Sequence, residues 1–350
     1  ARVDYDGTAS SLLVEPERRN LITYSEDFTN AIWTKSGSSV TPNATTSPDG
    51  TINADKLVED TSTGGHQIQS ITSSSNSTIY TTSVFVKYAG REWIRFTDAQ
   101  SSNRIHFNTL TGVFGTISGT VIDYNKTDLE NGWYKLSFTT TSVATAYTPR
   151  ISLAEADNDV SYTGDGVSGV YIYGGSLEEG SYPTSYIPTD GGTVTRVKDQ
   201  YSKTGISNLI NSEEGVLFGD IAALSDDLTY REISLSDGTT SNRVEIRYSP
   251  TSNRIQGIVR VGGSVIASLS FIVSDITDFS KVAVKWKLND FSLWVDGFER
   301  DTLGSGIVPT GMNRLGLDRG DGTDEFFGKA KQLQVYDIAL TPTQLQALTS

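Results

Sequence analysis

The sequence predicts an all-β protein of two β-sandwich (jelly-roll) domains in tandem, closed by a short C-terminal helix. The chain has 350 residues, which exceeds the usual size of one domain and favours two compact units. It contains 16 Tyr, 13 Phe and 5 Trp among many Ser, Thr and Gly residues, a mixture typical of short strands joined by polar turns. Several segments alternate apolar and polar residues with a period of two, which indicates half-buried strands.

The first half of the chain contains three clear strand patterns. The longest is YTTSVFVKYA at positions 80–89. Two further segments, WYKLSFTT at 133–140 and GVYIYGG at 169–175, also alternate and are rich in aromatic and β-branched residues. Regularly spaced strands separated by turn signals are typical of a sandwich.

The second half contains two predicted hairpins. KVAVKWKL at 281–288 and FSLWVDG at 291–297 are joined by Asn289 and Asp290, which suit a tight turn. NRVEIRYS at 242–249 and NRIQGIVRVGG at 253–263 repeat the scheme. We therefore expect a second sandwich in this half.

The strongest helix signal lies at the C-terminus, in IALTPTQLQALTS. Thr341 suits an N-cap, Pro342 the first helical position and Gln344 the third, which completes a capping box. Leu340 and Leu345 are spaced to pack across this cap. The pattern predicts a short helix with a structural role.

The segment SYPTSYIPTDGGTVTR predicts the seam between the domains. Pro183 and Pro188 stiffen it into an extended exit, and Gly191 and Gly192 permit a change of direction. The expected organisation is a lead-in segment at 1–19, a first sandwich at 20–190, a linker at 191–205 and a jelly roll at 206–350.

Composition excludes several kinds of partner and site. The chain has no cysteine, which removes disulfides and thiolate metal sites. Its net charge of −14 argues against a nucleic-acid or anionic-membrane partner, and no apolar run approaches the length of a membrane span. The first residues, ARVDYDGTAS, lack both an initiator Met and a signal-peptide pattern, so we expect a fragment or a processed form.

The residues of common hydrolytic sites are missing from the sequence, so we expect no enzymatic activity. Only His66 and His106 could serve a Ser-His-Asp arrangement, and the interpretation we favour for both is an ordinary surface or partly buried histidine. No Gly-x-Ser-x-Gly occurs. Glu232 and Asp237 are five residues apart, hence on opposite faces of a regular strand, so they do not form the carboxylate pair of a jelly-roll glycosidase.

The end of the chain resembles the laminin-G-like, concanavalin-type jelly-roll domains. The resemblance lies in FFGKAKQLQVYDIALTPTQLQAL and covers roughly residues 205–350. In that family a Gly leads into the last strand, a Tyr-x-x-Ala-Leu follows, and a short helix closes the domain. Gly328, Tyr336, Ala339 and Leu340 occupy those places.

The first half is similar to bacteriophage tail-associated proteins with a carbohydrate-binding-module-like sandwich. The matching stretches include LLVEPERRNLITYSEDF, NGWYKLSFT and GSLEEGSYPTSYIPT. The resemblance implies a non-enzymatic virion appendage, a tail fibre or receptor-binding component that faces the outside and recognises host cell-surface glycan. A homotrimer is the assembly expected of a fibre.

Two other functions stay open at this point. The sandwiches could decorate a capsid or baseplate and bind other virion proteins. They could also be accessory carbohydrate-binding modules of a secreted polysaccharide-degrading enzyme. Exposed apolar faces would favour the first alternative, and a catalytic domain elsewhere in the protein would favour the second.

Calcium is the metal that the resemblance implies, as a structural ion, because both families often carry it on acidic loops. Two loops are candidates: EADNDVSYTGDG, with Asp157 and Asp159, and DRGDGTDE, with Asp318, Asp321 and Asp324. Acidic turns without a metal are equally common, so this alternative is kept. No other cofactor is expected.

Sugar binding needs an aromatic face for stacking and polar side chains for the hydroxyl groups. In GREWIRF, Trp93 and Arg95 share a strand face with Arg91, and this mixed face is unsuited to a core. Trp294, on the face opposite its apolar neighbours, is expected to be exposed or between domains, and Arg319 lies on an acidic rim loop. These five residues are the candidates, with an aromatic lid or a subunit contact as the alternative for Trp93.

Overall fold

The computed structural model describes residues 2–6 and 9–350, and these form two compact units. The central unit is Glu17–Val197. The composite unit joins the segment up to Pro16 to Lys198–Ser350. Each unit consists almost entirely of antiparallel β-strands, which confirms the predicted all-β fold class.

The strands are numbered in chain order. The composite unit begins with β1 (Arg2–Asp6) and β2 (Ala9–Val14). The central unit contains β3 (Arg18–Asn20), β4 (Trp33–Ser36), β5 (Ser38–Thr46), β6 (Ile52–Glu59), β7 (Thr63–Gly64), β8 (Gln67–Ser70), β9 (Thr72–Ser73), β10 (Ile79–Ala89), β11 (Trp93–Asp98), β12 (Arg104–Asn108), β13 (Val113–Ser118), β14 (Asp123–Asp128), β15 (Trp133–Thr141), β16 (Ala146–Tyr147), β17 (Pro149–Ala154), β18 (Tyr162–Thr163), β19 (Gly169–Glu179) and β20 (Val194–Arg196). A single 3-10 turn, Glu130–Gly132, precedes β15.

The composite unit then resumes with β21 (Ser202–Thr204), β22 (Glu214–Ala223), β23 (Arg231–Ser236), β24 (Arg243–Tyr248), β25 (Arg254–Val261), β26 (Ser264–Ile272), β27 (Ser280–Lys287), β28 (Phe291–Val295), β29 (Phe298–Leu303), β30 (Arg314–Gly316), β31 (Gly328–Tyr336) and the helix α1 (Pro342–Thr349). No helix among the residues described is long and apolar enough to cross a membrane.

The central unit is a sandwich of two six-stranded sheets. The first sheet has the order β14-β15-β10-β19-β6-β5, and the second has the order β13-β12-β11-β17-β8-β4. Buried side chains from both sheets, such as Leu136 and Ile172 from the first and Phe96 and Leu153 from the second, form one core between them. The three long strands predicted in this half are β10, β15 and β19, and β10 pairs with both of the others.

The composite unit is a second sandwich. Its seven-stranded sheet has the order β1-β2-β31-β22-β27-β28-β29, and its six-stranded sheet has the order β21-β30-β23-β24-β25-β26. Leu217 and Val284 of the first sheet pack against Ile233 and Val244 of the second. Both predicted hairpins form, since β24 pairs with β25 and β27 pairs with β28.

The N-terminal segment differs from the expected lead-in. Strand β2 pairs with β31, with Leu12 opposite Ala330, so this segment extends a sheet of the composite unit. The predicted linker also contains strands, because β20 pairs with β3 in the central unit and β21 pairs with β30 in the composite unit. Sequence signals at Pro183 and Gly191 marked the exit from a sandwich, but pairing between distant segments is not visible in local patterns.

The predicted C-terminal helix forms with its capping box. The Thr341 side chain accepts a hydrogen bond from Gln344 N, and the Gln344 side chain accepts one from Thr341 N. Leu340 and Leu345 are buried together with Phe218 on the outer side of the seven-stranded sheet. The helix therefore covers part of a face that would otherwise meet water.

Candidate functional site

The outward side of the second sheet of the central unit is a continuous polar surface. Side chains alternate along a strand, so Ile94 and Phe96 of β11 enter the core while Arg95 between them points away from it. The neighbouring strands follow the same rule. We call this surface the outer face; it is formed by Trp93, Arg95 and Thr97 of β11, Arg104, His106 and Asn108 of β12, Arg150 and Ser152 of β17, and Gln67 and Gln69 of β8.

The strand register brings three arginines together at the centre of the outer face. Arg95 lies opposite His106 on one side and Ser152 on the other. Thr97, two residues further along, lies opposite both Arg104 and Arg150. Arg95 is therefore the diagonal neighbour of two other arginines, and Cβ atoms in that relation are about 7–8 Å apart at most.

Trp93 stands at one end of this arginine group and is partly exposed. Its ring packs so closely on Gly115 that a Cβ atom there would lie 2.6 Å from Trp93 Cζ3 and 2.4 Å from Asp157 Oδ1. Asp157 is held by Thr116, whose N and Oγ1 donate to it at 2.9 and 2.8 Å. Any larger residue at position 115 would displace the ring, so the indole position is fixed by its support.

Two of the three arginines have no partner in the part of the chain that the structure describes. Within residues 2–6 and 9–350, Arg95 and Arg104 form no hydrogen bond or ion pair, and the Nε atom of each is buried. Burial lowers the pKa of Arg95, and the charges of Arg104 and Arg150 lower it further. Arg150 donates from Nε to Gln69 Oε1 at 2.7 Å.

His106 lies beneath the arginines, fully buried. Its Nδ1 is 2.8 Å from the carbonyl oxygen of Thr116, which assigns the proton to Nδ1. The remaining ring nitrogen, Nε2, is a buried acceptor that finds no donor in the described part of the chain. Burial lowers the pKa of His106. The hydrogen bond to Thr116 and the charge of Asp157 oppose this shift, and the charges of Arg95 and Arg104 add to it.

The outer face thus combines the groups that polar ligands need. Trp93 offers a flat apolar ring, the arginines offer donors, and the partly exposed Gln67 and Gln69 offer amide groups on the next strand but one. The surface stays accessible, because the three arginines and both glutamines retain partial exposure. Such a surface can bind a polar ligand that also has an apolar side.

Arg91 does not belong to this face, contrary to the sequence prediction. Strand β11 begins at Trp93, so the alternation does not extend back to Arg91. Arg91 instead donates from Nε to the buried Glu59 carboxylate at 2.9 Å and lies 4.7 Å from the centre of the Tyr162 ring. Its role is structural.

Trp294 is also wrongly assigned as a binding residue. It is only 6% exposed, packs with Val216, Phe218 and Leu345 below the C-terminal helix, and donates from Nε1 to Ser292 Oγ at 3.1 Å. The alternation along β28 correctly predicted that Trp294 points away from the core between the two sheets. The helix covers that side, which the local pattern did not show.

The acidic loop at 318–325 is occupied by arginines. Arg319 donates to Asp324 at 2.9 Å and to Asp321 at 3.1 Å, and Arg314 binds both oxygens of Asp318. Burial tends to raise the pKa of Asp321, but hydrogen bonds from Thr323 and Arg319 outweigh it and lower this pKa to about 2. Arg319 is thus a neutralised rim residue, and these carboxylates already have cationic partners.

The carboxylates of the other proposed calcium loop also accept hydrogen bonds from within the chain. Asp157 binds Thr116, and Asp159 accepts from Ser161 N at 3.4 Å. No group of three His, Asp or Glu side chains suited to a metal ion occurs among the residues that the structure describes. The residues present therefore do not fit a calcium site, and we derive no role for calcium.

Two carboxylates that the sequence motifs did not connect meet on the six-stranded sheet of the composite unit. Glu232 and Glu245 lie 3.2 and 3.9 Å from the same atom, Arg247 Nη1, and Glu245 also binds Arg243. Burial raises the pKa of Glu232. Each carboxylate is at most 1% exposed, so a substrate has no access to either, and the group acts as an internal ion-pair network.

A depression on the central unit offers fewer groups for ligand binding than the outer face. It is an open depression of about 420 Å³ lined by Arg19, Leu21, Thr23, Ile32, Ser70, Ile71, Thr72, Ser73 and Thr193. None of these residues is aromatic, and Arg19 already donates from Nε to Thr193 Oγ1 at 2.8 Å. The outer face is the better candidate.

Comparison with known proteins adds little to this description. No protein-family model and no curated protein matches the chain. Among solved structures, domains LG4-5 of the mouse laminin alpha1 chain align over 97% of this chain and 96% of that chain, with 10% identity and a TM-score of 0.29. Similarity at this level carries no argument about function.

The sequence pattern predicted Trp93 and Arg95 as binding residues but not the residues beside them. Arg104 and His106 alternate with the buried Ile105 and Phe107, and Arg150 precedes Ile151 in the same way. This alternation was visible in RIHFN and PRISLA. The adjacency of the three strands was not visible, because they are separated in the sequence.

Proposed function

We propose that the chain is a non-enzymatic component of a bacteriophage virion appendage, a tail fibre or receptor-binding protein, that recognises a host cell-surface glycan. The observation that carries the binding role is the outer face, where the partly exposed Trp93 lies at the end of a group of three partly exposed arginines. Stacking on an indole and bonding to amides and guanidinium groups is the chemistry that pyranose rings require. The virion setting rests on the resemblance of the first half of the sequence to phage tail-associated proteins.

A homotrimer would make such a surface effective. A shallow site with a Kd on the order of 1 mM supplies only about 4 kcal/mol of binding free energy. Several linked copies raise the apparent affinity by about 10²- to 10⁴-fold when they bind one polymer together. Sedimentation or light scattering of the purified protein tests this assembly.

The binding role is tested with Trp93→Ala on arrays of bacterial surface glycans and on intact cells. Tyr88→Ala is the matched control, because Tyr88 is an aromatic residue on the other sheet of the same unit and is 37% exposed. We expect binding by the wild type and by Tyr88→Ala, and loss with Trp93→Ala, all three having the same circular dichroism. Absence of binding by the assembled wild type would overturn the proposal in favour of a virion-building role.

A further inference from the structure

We propose that the outer face selects anionic glycans, and that Arg95, Arg104 and Arg150 hold a negatively charged substituent of the sugar while Trp93 supports the ring. This rests on the proposed function, since it names the ligand class of the same surface. The shared chemistry is a carboxylate or sulfate group on a pyranose. Guanidinium groups match both, because their planar donors bind paired oxygens.

Among the described residues, Arg95 and Arg104 lack the acidic partners that several arginines on the other sheets have. On the six-stranded sheet of the composite unit, Arg243 binds Glu245 and Arg247 binds Glu232. On the outer face, Arg95 and Arg104 have no such acid within the described residues. Grouping like charges at partly buried positions is unfavourable, so a negative ligand is the missing partner.

The nearby acidic residues do not neutralise the group. Asp98 is buried and accepts hydrogen bonds from Gln100 N and Thr148 N at 3.1 and 3.0 Å. Burial lowers the pKa of Arg150, and the charge of Asp98 opposes this shift without forming an ion pair with Arg150 among the described residues. Asp157 lies at the Trp93 end and is bound by Thr116. The positive charge at the centre of the face therefore remains.

His106 adds, at the centre of the outer face, a buried nitrogen atom without a partner in the described part of the chain. It is 0% exposed, it lies opposite Arg95 and two residues from Arg104, and its Nε2 has no hydrogen-bond partner among the residues described. An unpartnered polar atom in a buried side chain needs a partner that the chain does not supply, such as a bound water. Because the ring is fully buried, a water lying between this nitrogen and a bound sugar, and not the sugar itself, would donate to it.

The negative net charge of the whole chain does not oppose this assignment. At physiological ionic strength, exposed charges more than about 8 Å apart are largely screened from each other. A ligand group at the centre of the outer face therefore responds to the three arginines much more than to acids elsewhere. The net charge of −14 affects how the whole protein attracts a charged polymer over long distances. The three arginines decide which substituent binds at the outer face.

The test compares three polymers of similar length by titration calorimetry: oligogalacturonate for carboxylate, dextran sulfate for sulfate ester and dextran as the neutral probe. We expect one or both anionic polymers to bind at least about 10-fold more tightly than dextran, and Arg95→Gln or Arg104→Gln to weaken that binding by about 10- to 100-fold. Lys87→Gln is the matched control, because it removes the same charge from a partly exposed position on the other sheet.

The outcomes separate this inference from the proposed function. Equal binding of all three polymers, unaffected by the arginine variants but lost with Trp93→Ala, would overturn anion selection and leave glycan recognition intact. An equal loss with Lys87→Gln would reduce the effect to net charge and also overturn it. If the assembled wild type bound none of the polymers and no glycan on the arrays, both proposals would fail.

Discussion

Replacing Arg95 by Gln is expected to make the unliganded protein more stable, although it removes a binding residue. Arg95 has no ion-pair partner among the residues described, and its diagonal neighbours Arg104 and Arg150 carry the same charge. Glutamine retains part of the side-chain stem and a polar end group. The substitution therefore removes repulsion without leaving an opposite charge unpaired.

The magnitude follows from the strand register. Two unit charges about 7.5 Å apart repel by about 0.5 kcal/mol at the dielectric constant of water and about 2 kcal/mol at an effective value of 20. Screening at physiological salt reduces these values by more than half. Summed over two neighbours, the free energy of unfolding should rise by about 0.5 to 2 kcal/mol. The rise should shrink as salt is added.

The assay is hydrogen exchange by mass spectrometry in increasing urea, read on peptides of β15 so that only the central unit is followed. Arg91→Gln is the contrasting variant: it strands the Glu59 carboxylate, which is 0% exposed, and should lower the free energy of unfolding by about 3 to 5 kcal/mol. A loss of stability with Arg95→Gln that did not change with salt would refute the reasoning, because it would show that Arg95 has a stabilising partner.

Three further predictions concern other parts of the molecule. Trp294→Ala should destabilise the composite unit by about 3 to 5 kcal/mol in urea unfolding, because it leaves a cavity below the helix. Glycan binding by the folded variant should be unchanged. A loss of binding without a loss of stability would contradict the burial of Trp294. Neither calcium nor EDTA should change the unfolding temperature of the wild type. The unfolding temperature of Arg319→Gln should rise with calcium, because Asp321 and Asp324 lose the cation that they share. A calcium-dependent unfolding temperature of the wild type would show that a metal site exists. His106 should make stability fall on acidification: burial lowers its pKa in the folded state, so the unfolded chain takes up a proton below about pH 6.5 that the folded chain refuses. His106→Asn should therefore lose less stability than the wild type between about pH 7 and pH 5, and an equal loss would contradict a neutral buried ring.

Local sequence signals predicted the strands and the helix well. They did not predict which distant strands pair with each other. The capping box at Thr341 and the hairpin turn at Asn289 each depend on residues within a few positions, so the sequence contains the full information. The pairing of β2 with β31 joins residues more than 300 positions apart. Nothing in the pattern of ASSLLV distinguishes a lead-in from a strand of the last sheet.

The candidate site was predicted in part for the same reason. Alternation along β11 placed Trp93 and Arg95 on one face, and both residues lie there. The prediction for Arg91 was wrong because β11 begins only at Trp93, so the alternation does not extend back to position 91. The prediction for Trp294 was wrong because the C-terminal helix covers its side of the sheet. Arg104 and Arg150 could join the prediction only after β12 and β17 were known to flank β11.

The two polar sheet faces of this chain show why residue type alone does not locate a binding site. Both carry arginines at alternating positions, so their sequence patterns are alike. In the composite unit Arg243 and Arg247 pair with the buried Glu245 and Glu232, although one oxygen of each carboxylate has no hydrogen-bond partner among the described residues. On the outer face, Arg95 and His106 keep buried polar atoms without partners in the described residues. Unpartnered buried atoms therefore occur on both faces, and accessibility distinguishes them: Arg95 and Arg104 are partly exposed and can meet a ligand, whereas Glu232 and Glu245 cannot.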